Sequence, residues 1–196
     1  MTRPSSSVIA MRDTDVKCRV DPAIPLPSTP EGWAELLVAT FNEVRDELVS
    51  TLWYVLGNPD DAQELAQEVF LRCWRTQDQL PEVQNLRAWI FRVGLNAARD
   101  LQRSAWKRRV KPLLGAELMP LPQAAATGEE LEHRESLQRL SEALLQLRPE
   151  EKEVFLLRQN GDLTYEQIAE VANRPVGTVK TQMRAALAKL RKVLMS

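Results

Sequence analysis

Residues 164–190 read TYEQIAEVANRPVGTVKTQMRAALAKL, and this stretch decides the fold class. Thr164 and Gln167 stand at capping-box spacing, so the threonine oxygen can accept an early amide while Gln167 reaches back. Ile168, Ala169 and Val171 give the short helix that follows an apolar face. Asn173 falls where the chain must turn, and asparagine tolerates a left-handed backbone. After Pro175, the residues Val176, Val179, Met183, Ala186, Leu187, Leu190 and Leu194 recur at threes and fours, which predicts a longer helix. A short helix, a tight turn and a longer basic helix form the grammar of a helix-turn-helix, and the small Ala169 lets the two helices approach closely. In such motifs the start of the second helix enters the major groove. Thr178, Lys180, Thr181 and Arg184 are therefore the candidate DNA contacts. The competing reading is an exposed basic helix in an ordinary bundle.

Charge supports the first reading. The chain of 196 residues has a formal net charge of -1. Yet Val171 to Ser196 carries Arg174, Lys180, Arg184, Lys189, Arg191 and Lys192 with no carboxylate. A second basic run, Arg99, Arg103, Lys107, Arg108, Arg109 and Lys111 against Asp100, closes a helical stretch that begins near Leu86. Before it lies an acidic segment, in which Glu31, Glu35, Glu43, Asp46, Glu47, Asp60, Asp61, Glu64 and Glu68 face Arg45 alone. Two basic faces and one acidic face suggest two contacts with nucleic acid and one with a protein.

From Trp33 onward the apolar spacing is helical, with no alternating stretch long enough for a strand, so an all-α protein is expected. Trp33, Leu36, Leu37, Phe41, Val44 and Leu48 mark a first helix, which Gly57-Asn58-Pro59 stops. Ala62, Leu65, Ala66, Val69, Phe70 and Cys73 make one stripe of a second helix opening at Asp60 or Asp61. The segment from Gln77 to Gln84, with Pro81, reads as a loop. Leu86, Trp89, Ile90, Val93, Ala97 and Leu101 define the apolar face of a third helix, and Arg92, Asn96, Arg99 and Arg103 form a polar stripe on its other side. Asn96 can donate to and accept from an unstacked base edge, while the arginines track a backbone.

Pro112, Gly115, Pro120, Pro122 and Gly128 predict a flexible linker between two small helical domains. The expected division is a disordered tail over 1–30, a first domain over 31–110, a linker over 111–128 and a second domain over 129–196 that contains the helix-turn-helix. Cys18 and Cys73 argue against a disulfide, the N-terminus lacks an exported signal, and no stretch is apolar enough to span a membrane, so a cytoplasmic protein is expected. Glu64, Gln67 and Glu68 form a polar stripe beside the second helix's apolar one. No His or Cys joins them, which disfavours a metal, and His133 is the single histidine, which disfavours His-dependent catalysis. With no phosphate-binding glycine motif either, neither an enzyme nor a cofactor is expected.

Together these residues resemble a bacterial RNA polymerase sigma factor of the extracytoplasmic-function (ECF) type, within the sigma-70 superfamily. Asp60 to Trp74 resembles the family's segment that holds core polymerase, Leu86 to Asp100 its promoter-melting helix, and Leu147 to Arg158 with Thr164 to Leu190 its minus-35 reader. The resemblance implies that Glu64, Gln67 and Glu68 contact the clamp helices of the polymerase beta-prime subunit. It implies that Asn96 helps hold a flipped minus-10 base, with the 78–85 loop beside it and Arg92, Arg99 and Arg103 along the DNA. It also implies that Thr178, Lys180, Thr181 and Arg184 meet the minus-35 element, and that an anti-sigma protein restrains the free form. Gln182 and Ala185 stand where basic residues are usual, Arg174 where an apolar one is, and the 78–85 loop lacks the common Phe-Arg-Gly signature. The modules must reach two promoter elements, so the linker would let them separate. The rival readings are a stand-alone helix-turn-helix regulator and a sigma-like adaptor or decoy that starts no transcription.

Overall fold

The computed structural model describes Pro27, residues 29–107 and residues 139–194, with the side chains of 105–107 and 194 left out. The expected tail, the linker, Cys18, Trp106, His133 and the basic residues from Lys107 to Lys111 lie outside what it describes in full. Among the described residues every regular element is helical, and they form two bundles.

The first bundle holds α1 (Pro30–Leu56), α2 (Pro59–Arg75) and α3 (Leu86–Lys107). Thr29 caps α1 by accepting from the Gly32 amide at 3.2 Å, and Gly57 ends it at φ 79°, a left-handed conformation suited to glycine. Asn58 then caps α2, its Oδ1 accepting from the Asp60 and Asp61 amides at 2.9 and 3.4 Å. Pro59 occupies the first helical position, where the missing N–H costs nothing. Leu37, Phe41, Val44, Leu48 and Leu52 of α1 meet Ala62, Leu65, Ala66, Val69 and Cys73 of α2 in a closed core. Burial raises the Cys73 thiol to about 12, so it is a packing residue and not a reactive one. The α2–α3 connection differs from the expected loop: Gln77–Glu82 is a 3-10 helix that buries Leu80 against the core.

The second bundle contains helical residues 139–145, α4 (Pro149–Gln159), α5 (Tyr165–Ala172) and α6 (Val176–Leu194). The predicted capping box is made: the Gln167 amide donates to Thr164 Oγ1 at 3.2 Å and the Thr164 amide to Gln167 Oε1 at 2.8 Å. Asn173 closes α5 at φ 53°, and the Arg174 amide donates to Ala169 O at 2.9 Å. That geometry delivers α6 across α5.

The two bundles pack against each other through α1, α3, α4 and α5. Arg87 Nε and Nη2 donate to the carbonyls of Gly161 and Asn160 at 2.7 and 3.1 Å, reaching from α3 to the turn after α4. Asn160 Nδ2 donates to Thr51 Oγ1 at 3.1 Å, and Tyr54 and Ser141 share a hydroxyl contact of 3.1 Å. Lys152 Nζ approaches Tyr54 O at 3.4 Å, and burial lowers its pKa. This packing changes the reading of α3. Ile90, Gly94 and Ala97 face the first core, where a Cβ on Gly94 would meet Leu48 Cδ1 at 2.9 Å. Phe91, Leu95 and Ala98 are buried as well, on the stripe running from Arg87 to Arg99, which faces the second bundle. Leu101, expected in the core, is 40% exposed.

Candidate nucleic-acid and protein interfaces

The α3 polar stripe forms with uneven access. Asn96 and Arg103 are exposed, while Arg92 and Arg99 are half-buried. Arg103 pairs with Asp100 at 3.1 Å on open surface. Arg99 Nη1 donates to Asn96 Oδ1 at 3.1 Å, and its Nη2 donates to Glu153 of the second bundle. The stripe is thus continuous, but one of its arginines is engaged across the bundle boundary.

The segment 78–85 leads into α3. It packs on α1 and α2, and Asn85 uses its Oδ1 to accept from the Ala88 amide at 2.8 Å, capping α3. At 1.5 Å per residue, Asn96 lies roughly 16 Å further along the helix axis.

On α6, Thr178, Lys180, Thr181 and Arg184 are all exposed near the N-terminal end. Lys180 Nζ stands 3.7 Å from Glu166 Oε1 and 5.8 Å above the Tyr165 ring. Thr181 Oγ1 donates to Gly177 O at 2.9 Å, which leaves its oxygen able to accept. Arg174 is turned away from this face. Its guanidinium donates to Glu153 Oε2 at 2.6 Å and to Gln182 Oε1 at 3.3 Å.

Glu64, Gln67 and Glu68 lie on the outer face of α2, all exposed, with Glu68 accepting from Arg72 Nη2 at 2.6 Å. Beside them the structure reveals a feature absent from the sequence reading. Val38, Phe41, Arg45, Gln67, Phe70 and Leu71 line an open groove of about 390 Å³ between α1 and α2. Leu71 and Trp74 nearby are 48% and 39% exposed. Leu71 falls outside the buried stripe of α2, and that offset was the available signal.

A separate ion pair braces the second bundle. Glu151 Oε2 accepts from Lys189 Nζ and from the Arg148 amide at 2.6 and 3.1 Å. Desolvation pushes the Glu151 pKa up, but the Lys189 contact and the amide outweigh it and hold the group below its ordinary value. Among the described residues no set of three His, Cys, Asp or Glu is placed to hold a metal, and no helix is long and apolar enough to cross a membrane.

A profile described as Sigma-70 region 2 matches residues 40–108, and one described as Sigma-70, region 4 matches residues 137–190. The RNA polymerase sigma factor CnrH of Cupriavidus metallidurans is 31% identical over 148 residues, covering 70% of this chain and 76% of that protein. The ECF RNA polymerase sigma factor EcfG of Rhodopseudomonas palustris is 30% identical over 138 residues, covering 70% and 74%. SigW of Bacillus subtilis, also an ECF sigma factor, is 27% identical over 165 residues, covering 76% and 84%. The fold is shared with the sigma factor RpoE of Bartonella quintana, solved with the anti-sigma factor NepR, at a TM-score of 0.68 and 19% identity over 84% of this chain and 98% of that one. It is also shared with CnrH solved with the cytosolic domain of CnrY, at a TM-score of 0.56 and 23% identity over 85% and 90%.

Two helical bundles with a region 2 and a region 4 in this order define a sigma-70-type transcription initiation factor. Within that class, the chain belongs to the ECF family of RNA polymerase sigma factors. Its function is to direct promoter-specific initiation of transcription.

Proposed function

We propose that the three exposed faces divide that work by residue. Glu64, Gln67 and Glu68, with the apolar groove beside Gln67, receive the clamp helices of the polymerase beta-prime subunit. Arg92, Asn96, Arg99 and Arg103 contact the minus-10 element, Asn96 holding an unstacked base. Thr178, Lys180, Thr181 and Arg184 meet the minus-35 element in the major groove. The functional domains are residues 31–110 and 129–196, joined by 111–128 and preceded by the tail 1–30. The protein acts without cofactor or catalysis, in the cytoplasm, and an anti-sigma protein restrains it, as the RpoE structure holding NepR suggests.

The observation that carries this reading is the capped helix-turn-helix with Thr178, Lys180, Thr181 and Arg184 all on open surface. Phosphate contacts from the cations would supply salt-sensitive affinity, and base contacts selectivity. Run-off transcription with sigma-free core polymerase on a genomic promoter library tests it. Discrete start sites that depend on the added protein are expected. Stable co-elution with core but no start sites would instead identify an adaptor or decoy.

A further inference from the structure

We propose that Val8-Ile9-Ala10-Met11, ahead of α1, occupies the α1–α2 groove of the free protein and competes with core polymerase for it. The competition rests on the assignment of this groove to polymerase. Its floor is aromatic: Phe41 and Phe70 meet edge to face with ring centroids 5.0 Å apart, and the Phe70 and Trp74 centroids lie 6.0 Å apart. Val38 on the α1 wall and Leu71 on the α2 wall are 37% and 48% exposed. An apolar surface rimmed by polar groups marks a place where something docks. From Val38 to Val49 the groove runs roughly 16 Å along α1, and four extended residues span about 13 Å.

The rim selects the occupant by charge. Helical spacing puts Glu35 and Asp46 in the row of Val38, Asn42 and Val49, and Asp60 and Glu64 in the rows that reach Gln67 and Leu71. All four carboxylates are exposed, and among the described residues none has an ion-pair partner. Residues 1–12 carry Arg3 and Arg12 with no carboxylate, so cations flank the apolar run as anions flank the groove. Arg45 of the groove wall finds its counter-ion in Asp13, two positions past Met11. The tether also fits. Pro27 lies against the first turn of α1, where a Cβ on Gly32 would come 2.8 Å from Pro27 Cβ. Residues 12–26 extend to about 50 Å at most, and Phe41 is roughly 16 Å from Pro30 along the helix axis, so the run reaches the groove with chain to spare. A tethered segment meets its site at an effective concentration on the order of mM, so a weak contact keeps the groove filled. Core polymerase must displace it, and the apparent affinity falls in proportion to the free fraction.

Methyl NMR of the free full-length protein, paired with titration onto core polymerase, provides the test. Ile9→Ser with Met11→Ser should move the Val38 and Leu71 methyl resonances and leave those of Leu156, buried in the second bundle, in place. The same variant should bind core more tightly, by a factor approaching tenfold if about 90% of the wild-type groove is filled. Arg12→Gln should give a smaller gain that disappears at high salt. Unmoved Val38 and Leu71 resonances overturn the docking. Wild-type resonances that change on dilution identify a second copy of the chain as the occupant and overturn it as well. Moved resonances without any gain in core binding overturn the competition. Adding Leu71→Asp to the double-serine variant measures the polymerase contact with the segment already released. Affinity that does not fall refutes the assignment of the groove to polymerase, and the competition with it, while the resonances still report the docking.

Discussion

Lys180→Ala separates stability from DNA binding. In the free protein the Lys180 ammonium has two neighbours, Glu166 Oε1 at 3.7 Å and the Tyr165 ring at 5.8 Å, and its side chain is 45% exposed. An exposed ion pair is worth about 0–1 kcal/mol and an exposed cation–π contact about 0.5–1 kcal/mol. Alanine returns a few tenths through its helix propensity. Folding stability should therefore fall by roughly 1 kcal/mol or less. On DNA, a side chain that reads a base edge supplies about 1–3 kcal/mol of discrimination. Lys180 must first give up Glu166 and Tyr165, so the net loss belongs in the lower half of that range. At 1.4 kcal/mol per decade this is about 5- to 30-fold in affinity.

Titrating holoenzyme onto a minus-35 duplex and its single-base variants, over a series of salt concentrations, measures both terms. If Lys180 reads a base, discrimination relaxes at one position. If it holds a phosphate, binding weakens at all positions and the log–log salt slope drops by about 0.9. Glu166→Gln removes the competing carboxylate and should tighten binding a few-fold. A Lys180→Ala protein within twofold of wild type at every position, with an unchanged salt slope, would refute the placement of this face of α6 on DNA.

Three further outcomes are expected. Asn96→Ala should reduce permanganate reactivity of the opened strand more than it reduces footprinting of the closed complex; an equal loss in both removes Asn96 from strand separation. Leu71→Asp, at the groove edge, should leave thermal stability nearly unchanged while weakening core polymerase binding tenfold or more, since burying a leucine contributes about 1.5–3 kcal/mol; undiminished affinity would exclude the groove from the contact. Glu151 has a folded pKa below its unfolded one, so its stabilisation is full above the ordinary value of 4.5 and disappears as pH falls through the folded value. Glu151→Gln should accordingly flatten the acid limb of a urea-midpoint profile below that pH, and a limb as steep as wild type would contradict this sign.

Much of the fold was legible because its signals are local. The capping box at Thr164, the left-handed Asn173 and the Gly57-Asn58-Pro59 break each act within a few residues, and all three formed. The four candidate α6 contacts are exposed for the same reason: helical spacing fixes which residues share a face. What escaped was tertiary. Periodicity finds one apolar face per helix, but α3 is buried on two sides, so Phe91, Leu95 and Ala98 were missed while Leu101 was overcounted. Glu153 has no mark in the sequence that sets it apart from Glu150 and Glu151, and only the fold shows it buried between Arg99 and Arg174. The apolar groove escaped for the opposite reason, since an exposed leucine has no mark in sequence beyond being off the stripe.

The double use of α3 sets an energetic condition on initiation. Phe91 and Leu95 are 0% and 1% exposed, on the stripe that faces the second bundle. Exposing both on opening would cost about 3–6 kcal/mol at 1.5–3 kcal/mol per side chain. The docked state also restricts the joining segment and freezes the side chains at the seam, which offsets part of this. The difference between these opposing terms sets how strongly the closed form is favoured. A ligand can shift that equilibrium only by its differential affinity for the open form. Under the proposed assignment neither promoter element alone needs to provide it, because polymerase on α2 and DNA on α3 and α6 would act on the same equilibrium and their differential affinities would add. Closed packing thus favours joint engagement of polymerase and promoter over binding of DNA by the free protein.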